Sequence, residues 1–186
     1  MMAKPLTIET SISGIMLRPL RLRDKRAWLN LRKRNHEWLK PWEATAPSII
    51  EFAPPTFAQL VRYHQREAKA LRALSFVITF DEKIIGQITL GGIAFGALRG
   101  GHIGYWIDQD FAGKSITTAA VVALTGYAFS NLKLHRIEIG FRPENVGSKR
   151  VAEKSGYIYE GNRTRFLHID GDWRDHLIYV RENPLL

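Results

Sequence analysis

Cysteine is absent from the 186-residue chain. That removes disulfides, thiolate zinc sites and a cysteine nucleophile together, so any group transfer is direct or uses another side chain. No run of about 18 apolar residues occurs, which excludes a membrane-spanning helix. The opening MMAKPLTIETSIS has neither an apolar core of secretory length nor a small-residue cleavage site, so the expectation is a cytoplasmic protein that touches no membrane. Acidic residues are also scarce. Against 27 Lys and Arg stand 18 Asp and Glu, giving a net charge of +9 and a pI near 10.0. Such a balance fits a polyanionic partner (nucleic acid, an RNA-rich particle or a phosphorylated cofactor), and a solvated basic surface accounts for it equally.

What is present suits one folded domain spanning 1–186, because a chain of this length buries a single core well and two poorly. Ile15 to Leu20 reads as a strand. A helix is expected from Asp24, as N-cap, to Asn35, and another from Thr56 to Ala73 with Phe57, Leu60, Val61, His64, Ala68 and Leu71 near one face. Between them lies a proline- and aromatic-rich loop, the sort of segment where substrate contacts often sit. Strands Ser75 to Phe80 and Lys83 to Leu90 flank a tight-turn DEK and should pair antiparallel. A glycine-rich link leads to the strand HIGYWID, a helix from Ser115 to Asn131, the strand HRIEIGF and a helix from Asn145 to Ser155. Two final strands, Tyr157 to Ile169 and Trp173 to Val180, meet at Asp170-Gly171, a type I′ hairpin dipeptide. The order β-α-α-β-β-β-α-β-α-β-β defines an α+β protein with a mixed sheet.

Gly113-Lys114-Ser115 resembles the end of a nucleotide-binding loop, but the glycine that a Walker A loop requires five residues earlier is replaced by Asp108. Nucleoside-triphosphate hydrolysis is therefore not expected. A strand, a glycine turn and a helix start still suit a phosphate: backbone amides from Phe111 to Ser115, with the positive helix end, would hold a pyrophosphate without a metal, and Lys114 adds charge. The alternative is a plain strand-to-helix turn. In RPENVGSKRVAEKSGY, Asn145 caps a helix, Ser148 lies one turn further on nearly the same face, and Lys149, Arg150 and Lys154 form a basic patch. This second helix start is either structural or a cofactor wall. Six histidines occur without a close ligand spacing, so no metal is expected; His168 and His176 flank the last turn as possible cross-strand neighbours.

GYWIDQDFAGKSITTAAV, LHRIEIGFRPENVGSKRVAEKSGY and EGNRTRFLHIDGDWRDH, in that order, resemble the GNAT acyl-CoA N-acyltransferases, most closely the RimJ/RimL ribosomal-protein-alanine N-acetyltransferase branch. The resemblance runs from about Gly101 to Val180. It implies the GNAT fold, a mixed central sheet flanked by helices, and acetyl-CoA as cofactor. The family's Gln/Arg-x-x-Gly-x-Gly/Ala pyrophosphate turn corresponds to Asp110-Phe111-Ala112-Gly113-Lys114-Ser115, departing at Asp110 and Ser115. By the same resemblance, Tyr105, Trp106, Ile107 and Asp108 offer main-chain groups to the pantetheine and an amide to the thioester oxygen, and the next strand, Arg136 to Phe141, splays from them to leave a slot for the cofactor arm. Phe111 to Ile116 form the turn, and Asn145, Ser148 and Lys154 complete the cofactor site the resemblance implies.

A tyrosine acid six residues after the asparagine is common in the family, but the position holds Val151. Ser148 is then the candidate proton relay. The glutamate base of RimL-like members falls at Leu167, leaving Glu138 first and Asp108 second as base, unless both are ordinary salt-bridged carboxylates. Glu43 and Glu51 are candidates for binding an N-terminal ammonium. The implied activity is acetyl transfer in a ternary complex to a primary amine, the α-amine of a protein N-terminus, with possible ribosome association, by a monomer or homodimer. Alternatives are a polyamine or aminoglycoside acetyltransferase and a non-catalytic acyl-CoA- or RNA-binding module.

Overall fold

Strands rich in Ile, Val and Phe that are buried on both sides can only be central strands with something packed on each face. β3 (Leu74–Phe80) shows this: Phe76 and Ile78 join one apolar cluster, while Val77 between them joins another. The computed structural model describes residues 6–47 and 54–186. Along the chain the elements are β1 (Ile8–Glu9), β2 (Ile15–Arg18), α1 (Lys25–Arg34), α2 (His36–Leu39), α3 (Phe57–Lys69), β3, β4 (Lys83–Ala94), β5 (Gly100–Ile107), α4 (Ile116–Ser130), β6 (Arg136–Phe141), α5 (Val146–Lys154), β7 (Ile158–Ile169) and β8 (Asp172–Glu182). The strands form one sheet in the order β1-β2-β3-β4-β5-β6-β8-β7. Its pairing is mixed, with β5 and β6 parallel and their neighbours antiparallel. The α+β expectation holds, with β1 and the short α2 as additions.

The larger core lies between the sheet and α4, whose Ile116, Ala120, Val121, Leu124, Ala128 and Phe129 pack with Ile88, Leu90, Ile103, Ile137 and Ile139. Each fully buried Leu or Ile contributes about 1.5–3 kcal/mol. On the opposite face α1 and α3 cover Val77 and Ile84 through Leu31, Phe57 and Val61. α3 opens with Thr56 accepting from the Gln59 amide while Gln59 accepts from the Thr56 amide, a reciprocal cap. Asp24 behaves differently from the expected N-cap. Its carboxylate takes two hydrogen bonds from Arg18, at 2.7 and 3.1 Å, and one from the Arg21 amide at 2.8 Å, pinning the end of β2 to the start of α1.

Two hairpins have two-residue turns with positive φ at both positions, as type I′ geometry demands: Asp81 and Glu82 (45° and 67°) and Asp170 and Gly171 (46° and 85°). The second hairpin tip closes over the segment that follows α2. Ala44 bridges to Ile169, the Thr45 amide donates to the His168 carbonyl at 2.9 Å, and the Gly171 amide donates to Thr45 Oγ1 at 3.2 Å.

Candidate active site

β5 and β6 pair only from Gly100 to His102, against Arg136 to Glu138. Beyond His102 the two strands part. A cavity of about 220 Å³ occupies the gap, lined among others by Gly104, Tyr105, Gly140, Asn145, Ser148 and His176. The Asp108 amide donates to Ile85 on β4 at 2.7 Å, so by strand alternation the main-chain groups of Trp106 also face β4, and those of Tyr105 and Ile107 face the gap. The Ile107 carbonyl is taken by the Trp38 indole N–H at 3.1 Å. Of the strand segment expected to offer main-chain groups, Tyr105 is thus the residue left with both N–H and C=O turned into the gap.

The turn after β5 is more specific than the sequence suggested. The Phe111 and Ala112 amides donate to the carbonyls of Asp108 and Gln109, at 2.9 and 3.1 Å, and close a short 3-10 turn. Among the described residues, no protein acceptor faces the amides from Gly113 to Thr118. The free amides therefore start two residues later than expected and run into the first turn of α4. Gly113 (φ 74°) and Ser115 (φ 60°) are left-handed, which turns successive N–H groups toward one point, an anion-binding geometry. A Cβ at Gly113 would meet nothing within 4 Å, so the approach is open. Lys114 lies over the Phe111 ring, 5.3 Å from its centroid.

At the other wall, Asn145 Oδ1 accepts the Ser148 amide at 2.9 Å and starts α5. Tyr105 Oη donates to the Ser148 carbonyl at 3.3 Å. Burial pushes the Tyr105 phenol well above its usual pKa, so it stays protonated, a donor at any physiological pH. Lys154 is exposed on the last turn of α5, at the opposite end from Asn145, and does not line the gap.

The expected bases are both engaged. Glu138 is held by Arg136 at 3.1 Å and Arg163 at 2.8 Å. Asp108, 1% exposed, pairs with Arg34 and accepts from Asn35 Nδ2 at 2.9 Å. It locks the end of α1 to the end of β5, and Asn35 Oδ1 completes the lock by accepting the Gln109 amide at 2.9 Å. Arg34 also lies 4.0 Å from Asp110, balancing the carboxylate that departs from the family turn. Glu43 pairs with Arg32, while Glu51 lies outside the described residues.

His168 and His176 are not cross-strand neighbours: His168 faces Trp173 and His176 faces Arg163. His176 is the cavity residue that sequence reading passed over as a site. Its one signal was the DH pair just after the final turn.

A parallel strand pair that splays beside a turn of free main-chain amides has the shape that acyl transfer from a long, phosphorylated thioester requires. The chain belongs to the acetyltransferase (GNAT) domain family, whose model matches residues 15–158, and is an acetyl-CoA-dependent N-acetyltransferase. It is 34% identical over 171 residues to the probable N-acetyltransferase YjcK of Bacillus subtilis, covering 91% of this chain and 94% of that protein. The [ribosomal protein uS5]-alanine N-acetyltransferase of Escherichia coli is 27% identical over 164 residues, 87% of this chain and 84% of that one. Among solved structures, Mycobacterium smegmatis RimJ in complex with CoA-disulfide superposes with a TM-score of 0.89 at 35% identity, covering 98% of this chain and 90% of that chain.

Proposed function

We propose that the protein acetylates the N-terminal α-amine of a protein, with an alanine-initiated ribosomal protein as acceptor class and the cytoplasm as its place of action. The observation that carries the reading is the gap between β5 and β6, with unpaired amides from Gly113 to Thr118 just beyond its β5 edge. These amides and the α4 N-terminus would hold the cofactor's pyrophosphate, and the Tyr105 main chain would orient the pantetheine arm. Acetyl-CoA, when bound, supplies the activated acyl group. A main-chain amide of β5 facing the gap offers a preset donor to the carbonyl oxygen, an effect worth about 2.7–4 kcal/mol in comparable oxyanion sites. Ser148 and the protonated Tyr105 stand on the wall where the thiolate departs.

The acceptor side favours a protein N-terminus over a polyamine or aminoglycoside. A polycation needs unpaired carboxylates, whereas Glu138 and Glu43 are neutralised by Arg136, Arg163 and Arg32. Relatives support the acceptor class: the E. coli protein modifies an alanine of a ribosomal protein by its name, and a Vibrio fischeri structure of TM-score 0.85 at 28% identity is a ribosomal-protein-S5-alanine acetyltransferase. The test is calorimetric titration with acetyl-CoA and with ATP, followed by mass spectrometry of a lysine-free peptide beginning with alanine. Saturable acetyl-CoA binding, silence with ATP and a single added acetyl group are expected. ATP binding in place of acetyl-CoA would return the turn to the nucleotide reading.

A further inference from the structure

Strand alternation sorts the gap into two sides. His102 pairs with Glu138 and Gly140 pairs with Ile178, so His102, Gly104, Trp106, Glu138, Gly140, His176 and Ile178 share one face of the sheet. Tyr105 lies on the opposite face with Ile103 and Ile107, toward α4 and α5, where its hydroxyl meets Ser148. Gly104 and Gly140 put no side chain into the opening between the strands. A Cβ at Gly140 would lie 4.0 Å from His176 Cδ2, and one at Gly104 would meet nothing within 4 Å. The His176 ring therefore borders the opening on the face away from the cofactor wall. A second recess of about 240 Å³, lined by Gln87, Thr89, His102, Gly104, Tyr105 and Trp106, adjoins it and shares Gly104 and Tyr105 with it.

Resting on the reading above, that acyl transfer occurs in this gap, we propose that His176 Nε2 is the base that takes the proton of the acceptor amine. The imidazole is 3% exposed, and its Nδ1 is 3.0 Å from the Arg174 carbonyl, an acceptor only. Nδ1 therefore carries the proton, leaving Nε2 with a free lone pair and no protein partner among the described residues. The Phe166 ring packs edge-on at 5.7 Å and fixes the plane. Burial, with Arg142, holds the imidazole below its usual pKa, while the Arg174 carbonyl, Asp175 and Glu144 oppose the shift. Arg163 faces it from β7 and the neutral Tyr105 lines the same cavity from β5.

In the step, the amine nitrogen forms the new C–N bond and the C–S electron pair leaves with sulfur. The proton shed by nitrogen passes to Nε2, giving imidazolium and thiolate. The imidazolium then returns its proton to sulfur or to water, restoring the neutral ring. A weakly basic imidazole matches an α-amine, whose pKa is about 7.7–8.0, and not a lysine side chain at about 10.4. The inference thus adds selectivity for α-amines to the proposed acceptor.

His176→Gln decides the matter, assayed as thiol released from acetyl-CoA with the alanine-initiated, lysine-free peptide. Because the chain contains no cysteine, every thiol counted belongs to CoA. We expect kcat to fall by about 100-fold or more, an unchanged KM for acetyl-CoA, a folded far-UV spectrum, and loss of the limb that the wild-type kcat profile at saturating peptide shows below the α-amine's own pKa. A folded variant with wild-type kcat, or one that keeps that limb, overturns the proposal. Nitrogen-15 NMR of the wild-type imidazole tests it without a variant: a proton on Nδ1 and a neutral ring at pH 7 are required, and a proton on Nε2 overturns it. A wild-type protein inert toward the peptide would instead sink the acceptor reading, leaving the tautomer to judge His176.

Discussion

Gly113 and Ser115 carry the conformations on which the turn depends, with φ of 74° and 60°. Glycine adopts this region freely, whereas a β-branched residue there costs roughly 1–2 kcal/mol. Gly113→Val should therefore either distort the turn or lay a side chain across its amides. We expect acetyl-CoA affinity to fall by about tenfold or more, since about 1.4 kcal/mol is a factor of ten, with a smaller loss of thermal stability. Calorimetry checks this, and an unchanged affinity would remove the turn from the cofactor site. At this scale the sequence was legible where a residue acts through its own backbone, as Gly113 does, or through a partner three residues away, as Asn145 does with Ser148. It was not legible for Asp108, whose partners Arg34 and Asn35 lie 74 and 73 positions away. A carboxylate ending a strand beside a glycine turn reads equally as a base or as half of an ion pair, and only the helix that carries Arg34 and Asn35 decides between them.

Elements place those residues, and two fastenings matter most. One is the β7–β8 hairpin tip, which fastens Thr45 and holds Ala44 at the cavity wall. The other is the Arg18–Asp24 pair, where both side chains are nearly excluded from water, at 6% and 7% exposure. Burial alone would raise the Asp24 pKa, but the Arg18 hydrogen bonds and the Arg21 amide outweigh it and leave the carboxyl below its usual value. A depressed folded pKa means the contribution to stability is complete above the unfolded value, about pH 4, and is lost as pH falls through the folded value. Asp24→Asn also leaves the buried Arg18 uncompensated, a loss of about 3–5 kcal/mol at pH 7. Urea melts of both proteins at neutral pH and at successively lower pH should show the gap narrowing below about pH 4. A gap independent of pH would mean that Asp24 is not ionised in the folded state. The Asp170-Gly171 I′ turn, the place of the DEK turn and four of the helices could be placed from sequence because turn composition and helical periodicity are local. The resemblance implied a splay between β5 and β6, but not where it starts, since nothing in HIGYWID says where its pairing with HRIEIGF stops.

For the whole molecule, the charge of +9 acts at long range. Peptides with acidic residues after the first position should therefore show lower KM than basic ones of equal length. The difference should shrink as salt shortens the screening length from about 10 Å at 0.1 M toward about 3 Å at 1 M. Equal KM values at low salt would reduce the basic surface to a solvation role. The sequence by itself determined the order of the longer elements, the places of the two hairpin turns, the absence of thiol chemistry and the family, because each rests on neighbouring residues or on composition. Only the tertiary structure decided which carboxylates are spent in ion pairs, which amides remain free, and that His176 on β8 and Gly140 on β6 line one cavity. These are properties of groups brought together across the sheet, and a linear chain does not encode distances between them in any pattern that can be read residue by residue.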